Sequence, residues 1–315
     1  MQHFKETVKL VDGRYEVSWP WKYENPELPD NREFAYGRLK SCVRRLQGHS
    51  ELLKKYDMVI KEQLEKGIIE KVDGTMSDGR IHYIPHHAVL TPQKTTTKMR
   101  VVYDASAKPK EHYKSLNECL FRGPVMLQDL VGLLLRFRLH RVAITADIEK
   151  AFLQIGLQPG ERNVTRFLWI KDKDRMSTYC SNIQEYRFCR IPFAVIASPF
   201  LLGAVIETHL DTYQTKISDK LKSDMYVDNL VTGADSTADA LQMYADSKRM
   251  FDSASMNLRE WLSSSAEFNK CIPENDRRKS ADTTVLGHGW NHETDVLYVH
   301  TPSISDSQKG ITKCA

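Results

Sequence analysis

The sequence predicts an α+β fold in which helices back an antiparallel sheet. Three observations carry this. Val142-Ala143-Ile144-Thr145-Ala146 is an apolar, β-branched run ending at Asp147, as a buried strand would. Met225-Tyr226-Val227 and Leu230-Val231-Thr232 read as two short strands around Asp228-Asn229. Both of those side chains tolerate positive φ, so the segment predicts a hairpin with a two-residue turn. Elsewhere, apolar positions recur with helical periodicity behind capping residues.

Taken in order, residues 1–30 are aromatic and proline-containing and carry few helix signals. Ser50 can cap a helix whose Leu53, Tyr56, Val59, Ile60 and Leu64 share a face, and Gly67 is placed to end it. Residues 67–72 predict a strand that runs into a Gly/Asp turn. Residues 87–90 and 100–103 predict strands joined by the polar loop 93–98. An amphipathic helix is expected over 127–138, after Pro124. Residues 155–157 and 165–170 are strand-like, with a Pro159-Gly160 turn between. Ser198-Pro199 opens a mostly apolar helix through Leu210, proline being favourable in a first turn. Ser236-Thr237-Ala238-Asp239 resembles a capping box. It predicts a helix on which Leu241, Tyr244, Phe251 and Leu258 share a face. The tail after Thr301 is polar and expected to fray.

A chain of 315 residues exceeds the size at which a single core keeps growing, so subdomains are expected. Charged residues make up 27% and mean hydropathy is −0.47, which fits a soluble globular protein. The apolar stretch at Leu133-Leu134-Leu135 is too short to cross a bilayer, and no apolar segment follows Met1. Neither a membrane partner nor a secretory signal is expected. The cysteines stand at 42, 119, 180, 189, 271 and 314, without C-x-x-C spacing. They suggest neither a zinc site nor a disulfide framework, and a reducing compartment is expected. P-loop, H-E-x-x-H, G-x-S-x-G and Asp-Thr/Ser-Gly motifs are all missing. A net charge of +4 argues little for nucleic acid by itself. Arg38, Lys40, Arg44 and Arg45, and again Arg136, Arg138, His140 and Arg141, are clustered. Such groups can neutralise phosphates or simply line a solvated helix face.

Asp147 at a strand end and Asp228 on a hairpin are a way to hold two divalent cations. Hard cations take oxygen ligands and leave room for substrate phosphates. Two of them about 3.5–4 Å apart stabilise the attacking and leaving oxygens of an in-line phosphoryl displacement. Read alone, Asp147 equally fits a helix N-cap, and the tetrad Tyr226-Val227-Asp228-Asn229 better fits a plain turn.

Together these segments resemble a reverse transcriptase. Lys98-Met99-Arg100-Val101-Val102-Tyr103-Asp104-Ala105-Ser106 is similar to the fingers motif, and Thr145-Ala146-Asp147 through Phe152 to motif A. Arg190-Ile191-Pro192-Phe193-Ala194, with Ala197-Ser198-Pro199-Phe200, resembles motif B, and residues 226–229 resemble motif C. Met256-Asn257-Leu258-Arg259-Glu260-Trp261 resembles motif D, and Leu286-Gly287-His288-Gly289-Trp290 motif E, the primer grip. The nearest flavour is the BEL/Pao group of LTR retrotransposons. Gly13-Arg14-Tyr15-Glu16-Val17, Trp19-Pro20-Trp21-Lys22 and Ile84-Pro85-His86-His87-Ala88-Val89 are similar to its N-terminal segments. The resemblance covers residues 10–295.

It implies a right-hand polymerase-like arrangement of fingers and palm, the palm sheet antiparallel and backed by helices. Fingers are expected over 50–141 and 158–185, and palm over 142–157 and 186–295. Residues 1–49 become an N-terminal polyprotein segment and 296–315 a truncated tail. The implied activity is that of an RNA-directed DNA polymerase, a nucleotidyltransferase that adds dNTPs to a primer 3′-hydroxyl with two Mg²⁺ ions, or Mn²⁺ in their place. Asp147, Asp228 and Asn229 are the implied catalytic residues, with Asp147, Asp228 and the Ile148 carbonyl as metal ligands. Arg100 lies along the triphosphate in this family, and a guanidinium fork suits phosphate oxygens. Phe152 occupies the place of an aromatic side chain under the incoming sugar, where its bulk excludes a 2′-hydroxyl; it also reads as a core residue. Phe193, Ala194 and Tyr226 complete the implied substrate contacts, and Asp104 supports the fingers strand. Implied partners are an RNA or DNA template with its primer, dNTPs, and protease, RNase H and integrase segments outside this chain. The implied setting is the cytoplasm within a virus-like particle, or the nucleus.

Three residues depart from the family pattern. Asn229 stands where a second Asp is usual, Ala194 where motif B shows Gly, and Glu260 where motif D favours Lys. A carboxylate lost beside two dications forfeits about 4 kcal/mol at an effective dielectric near 20, on the order of a thousandfold in rate. Asn229 and Ala194 therefore favour an alternative reading, a remnant that binds nucleic acid without competent chemistry. An unrelated α/β protein is the third reading. Glu149 is a further acid close by, expected to point off the site.

Overall fold

The computed structural model describes residues 1–72, 79–90, 99–172, 180–279 and 283–299. The expected loop 93–98, Lys98, the Gly/Asp turn after Val72 and the polar tail lie outside the described residues. The chain begins with α1 (Gln2–Thr7), the hairpin β1 (Lys9–Val11) and β2 (Arg14–Val17), then α2 (Arg32–Gln47), α3 (Ser50–Glu65) and β3 (Ile69–Lys71). A second hairpin, β4 (His86–Leu90) and β5 (Met99–Tyr103), leads to α4 (Leu116–Cys119), α5 (Leu130–Leu139) and β6 (Val142–Ile148). After β7 (Gly156–Leu157) come β8 (Arg166–Ile170), β9 (Ile183–Phe188), α6 (Ser198–Asp211) and α7 (Lys216–Asp224). Then follow β10 (Met225–Tyr226), β11 (Asn229–Ala234), α8 (Thr237–Asp252), β12 (Leu258–Ser263) and α9 (Ala266–Cys271). The small strands β13 (Thr284–Val285), β14 (His288–Asn291) and β15 (Val296–Tyr298) close the described chain.

The sheet that matters most has the order β10-β11-β6-β12, with β6 antiparallel to both neighbours. Side chains alternate across it. Ile144, Ala146, Ile148 and Leu230 enter the main core, which Leu221 of α7 and Ala240 and Met243 of α8 share. Ala143, Val231 and Leu262 face the other way and join Leu133 and Phe137 of α5 with Val285 and Trp290. Trp290 is fully buried, its ring edge-on to Phe137 at 5.3 Å. Burial on both faces is why residues 142–146 are uninterrupted by charge. Among the described residues no helix is long and apolar enough to cross a membrane.

A second region combines the sheet β3-β9-β8 with the hairpin β4–β5, α2 and α3. The expected end of α3 forms as a Schellman motif: the N–H of Ile68 donates to Gln63 (2.9 Å), that of Gly67 to Leu64 (3.1 Å), and Gly67 sits at φ 60°. At the start, Ser50 is the first helical residue rather than the cap; His49 precedes it with no side-chain capping bond. Asp129 caps α5 by accepting from the Gly132 N–H, so that helix starts at Leu130, later than expected. Ser236 caps α8 as its motif implies, accepting from Asp239 N–H. Leu258 does not share that helix face; α8 ends at Asp252, and Leu258 opens β12. The first 30 residues do contain a helix, α1, whose Phe4 packs on Phe200 at 6.0 Å. A six-residue helix is held by packing rather than propensity, so its sequence gives little sign of it. Residues 1–49 share the main core, with Trp19 fully buried and β2 parallel to β7.

His86 is buried in this second region. Its Nδ1 accepts from the Tyr56 hydroxyl, and its Nε2–H donates to the Leu168 carbonyl at 2.8 Å. His82 donates through Nδ1 to the Pro29 carbonyl at 2.6 Å. Burial drives both rings down from 6.5 to about 4. A depressed folded-state pKa gives stability that is present above the unfolded value and lost as pH falls through the folded one. Each ring should therefore withdraw about 3 kcal/mol as pH falls from 6.5 to 4, at 1.36 kcal/mol per unit. The two rings should add about two protons to the uptake on unfolding across that window, so urea unfolding of His82→Gln and of His86→Gln should each show a pH slope smaller than the parent's by about one proton. An unchanged slope in both variants would contradict the buried neutral rings.

Candidate active site

β6 ends in Asp147-Ile148, and the chain then turns at Lys150, which takes a left-handed φ of 49°. Across the sheet, Asn229 of β11 stands opposite Asp147 on one side and Arg259 of β12 on the other. Tyr226 of β10 stands opposite Asn229. Tyr226, Asn229, Asp147 and Arg259 thus form one row of cross-strand neighbours on one face, the geometry in which adjacent side chains interact. Asp228 joins the row from the hairpin, its carbonyl accepting from the Ile148 N–H at 2.8 Å.

The hairpin differs by one residue from its sequence reading. Its turn is Val227-Asp228, because Tyr226 pairs with Asn229. Positive φ falls on Val227, at 58°, and Asn229 is the first residue of β11 rather than the tip. Left-handed backbone is unusual for a β-branched residue, and such strain persists where the surroundings over-determine it. Here six pairs to β6, from Asn229 to Ala234, fix β11 and so fix the turn.

Both acids are partly buried. Burial pushes the Asp147 carboxyl up to about 6; Glu260 and Asp228 add to this, while Arg259 and Arg278 oppose it. Burial also raises Asp228, against the pull of its own N–H. The Oδ1 of Asp147 is buried with no hydrogen-bond partner. The Asn229 amide donates to Asp228 Oδ1 at 2.9 Å. An orphaned carboxylate oxygen, a second desolvated carboxylate and an amide oxygen alongside suit a hard divalent cation. Among the described residues no group of three or more Asp, Glu, His or Cys could hold a metal, so the set is two carboxylates and an amide. Glu149 is engaged elsewhere, by Arg259 at 3.2 Å and by the Asn257 amide at 3.2 Å. Glu260 lies on the β12 bulge at φ 51°, with Arg278 at 3.6 Å.

No protein-family model matches the chain, and no curated protein matches it. Among solved structures it is similar to the foamy viral protease-reverse transcriptase in complex with RNA/DNA hybrid, at 15% identity and a TM-score of 0.52, over 78% of this chain and 26% of that one. It is similar also to the same enzyme in complex with dsDNA, at 16% identity and a TM-score of 0.50, over 78% of this chain and 41% of that one. The fold is that of a reverse transcriptase. At this identity the likeness speaks for fold alone, and the chain spans well under half the length of either neighbour.

Within this reverse-transcriptase-like fold, the remaining candidates fall into two groups. Phe152, on a 3₁₀ turn at Ala151–Gln154, is half-buried and meets Phe193 edge-on at 5.3 Å. Phe193 is 80% exposed. The two segments that resemble motifs A and B are therefore joined by a ring contact. Arg100 is exposed on β5 opposite Val89, and among the described residues no hydrogen bond, ion pair or ring contact ties it to the other candidates. Asp104 accepts from the Ser106 N–H at 3.0 Å, a local brace for the exit from β5.

One positioning residue was not foreseen. Asn117 of α4 accepts from the Ile196 N–H at 2.8 Å, donates to the Ala194 carbonyl at 3.3 Å and donates to the Ser106 hydroxyl at 2.8 Å. It clamps the loop bearing Phe193 and Ala194 to the strand exit beyond Arg100. The capping box formed by Ser115 and Glu118, visible as Ser-x-x-Glu, holds α4 in place and was the available signal.

Proposed function

We propose that the chain is the polymerase part of a reverse transcriptase, of the kind found in BEL/Pao retrotransposons, and that it adds dNTPs to a primer 3′-hydroxyl. The observation that carries this is a desolvated Asp147 at the end of β6, one of its oxygens left without a partner, beside the β10–β11 turn that carries a second desolvated acid, Asp228. In this reading Asp147, Asp228 and the Ile148 carbonyl hold Mg²⁺, with Mn²⁺ as a substitute. Bound there, two ions supply charge stabilisation to the attacking and leaving oxygens. The chain's own residues do the rest. Arg100 offers an exposed fork to a triphosphate. Phe152, braced by Phe193, forms the floor for the sugar, with Ala194 and Tyr226 at its margins. Residues 50–141 and 158–185 act as fingers and 142–157 and 186–295 as palm. Template and primer, dNTPs, and protease, RNase H and integrase segments of one polyprotein are the partners, in a cytoplasmic particle or the nucleus.

Support for nucleic acid binding comes from the fold and from exposed cations on α2, where Arg38, Lys40, Arg44 and Arg45 lie away from buried Leu39 and Val43. Primer extension on poly(rA)/oligo(dT), in Mg²⁺ and separately in Mn²⁺, tests the reading. Template-dependent incorporation is expected, with primer–template affinity falling log-linearly with salt. Binding without extension in either metal would favour the non-catalytic reading, for which Asn229 is the specific ground. Salt-insensitive binding would contradict both.

Phe152→Ala should raise rNTP use relative to dNTP by about tenfold or more, the scale of a lost steric filter. The ratio of the two kcat/KM values in single-nucleotide extension measures it. An unchanged ratio in a folded, active variant would make Phe152 a core residue and nothing more.

A further inference from the structure

A cleft of 740 Å³ opens between the β1–β2 turn, the end of α3, β3 and the chain that follows β9. Its size is that of small-ligand pockets generally. Arg14, Lys71, Arg162 and Arg190 line it, against Asp12, Glu16 and Glu70. Two of those acids are already claimed. Arg162 reaches Glu16 at 3.6 Å and Glu70 at 3.4 Å, and Arg187 holds Glu70 at 2.6 Å. Arg14 and Arg190 are different. Arg14 donates to the carbonyl and the side-chain oxygen of Gln154. Arg190 reaches the Gly67 carbonyl through Nε at 3.5 Å, and its Nη1 is buried with no partner. Among the described residues neither guanidinium has a carboxylate.

We infer that Arg14 and Arg190 form the two jaws of a binding site for a phosphate-type oxyanion. Two planar forks around one anion give paired, charge-assisted hydrogen bonds. Both arginines are half-buried and line the same cleft. Burial, and after it the nearby Arg14, hold Arg190 down to about 10, and burial lowers Arg14 as well. An anion between them offsets the like charge and gives the orphaned Nη1 an acceptor. The site stands apart from Asp147 and Asp228 and does not depend on the polymerase reading. It does touch the same segments from behind: Arg14 holds Gln154, two residues after Phe152, and Arg190 leads into Ile191-Pro192-Phe193.

The ligand is either a small phosphorylated molecule or a backbone phosphate of nucleic acid, and one experiment separates them. The whole chain is titrated with inorganic phosphate by calorimetry, in low salt with EDTA. Saturable binding is expected, weakened about tenfold or more in Arg190→Gln and in Arg14→Gln, as for loss of a charged hydrogen-bonding group. Arg249→Gln, a surface control, should bind as the parent does. Displacement of phosphate by a single-stranded oligonucleotide from the parent chain identifies a backbone phosphate; failure to displace identifies a small molecule. Without phosphate, Arg190→Gln should melt no lower than the parent, because it removes a repulsion. Absence of saturable binding, unchanged affinity in both Gln variants, or a marked loss of melting temperature in Arg190→Gln would overturn the site.

Discussion

Asn in place of Asp147 is expected to cut Mg²⁺-dependent primer extension by about a thousandfold or more, while making the metal-free protein more stable. The first effect follows from losing a charge worth about 4 kcal/mol against a dication at close range. The second follows from burial, which raises this carboxyl from 3.8 to about 6. A raised folded-state pKa gives a contribution that is complete below the unfolded value and is lost as pH rises through the folded one. The parent should therefore give up as much as about 3 kcal/mol between pH 4 and 6 that the Asn variant retains. Urea unfolding of both proteins in EDTA at pH 4 and pH 7 measures this. Comparing them at one pH cancels the opposing contribution of His82 and His86. Equal stabilities at pH 7 would mean that the Asp147 carboxylate is well solvated, and the site would lose its case for a cation.

What the sequence reveals about this site depends on how local each determinant is. β6 is legible because burial on both faces leaves only apolar and β-branched residues before Asp147. The hairpin is legible for the same reason, yet its turn is displaced by one residue. Asn tolerates positive φ in isolation, so Asp228-Asn229 looks like the turn. Pairing of Asn229 with Asp147 overrides that preference and passes the positive φ to Val227. Elements with few buried positions are harder to see. α7 buries Ser218, Leu221 and Asp224, two of them polar, so it shows no apolar stripe, although Thr215 and Ser218 form its capping box. Contacts between distant segments leave no pattern at all. The clamp of Asn117 on residues 194 and 196 and the approach of Arg278 to Glu260 depend on the whole fold.

Asn229→Asp is expected to raise Mg²⁺-dependent extension by about tenfold or more, at about 1.4 kcal/mol per decade. Asn229 lies directly beside Asp147 in the sheet and donates its amide to Asp228 Oδ1. In the metal-free protein that amide does a small part of a cation's work: it satisfies an oxygen that would otherwise lack a donor. The same contact competes with a metal for Asp228. An Asp at 229 has no N–H to offer, so it frees Asp228 and adds a charge next to Asp147. Metal-free stability should fall, because three acids then share one row and one turn; stabilisation by Mg²⁺ should rise in compensation. Folding should not otherwise suffer, since residue 229 begins a strand held by six pairs to β6 and is not a turn residue chosen for its φ. Melting curves with and without Mg²⁺, read beside extension rates, separate these effects. A fully active parent and no gain in the variant would show the amide oxygen to be an adequate ligand. If both proteins bind primer–template and neither extends it, the defect lies beyond residue 229. Ala194, whose carbonyl Asn117 grips, is then the next position to restore, as Ala194→Gly.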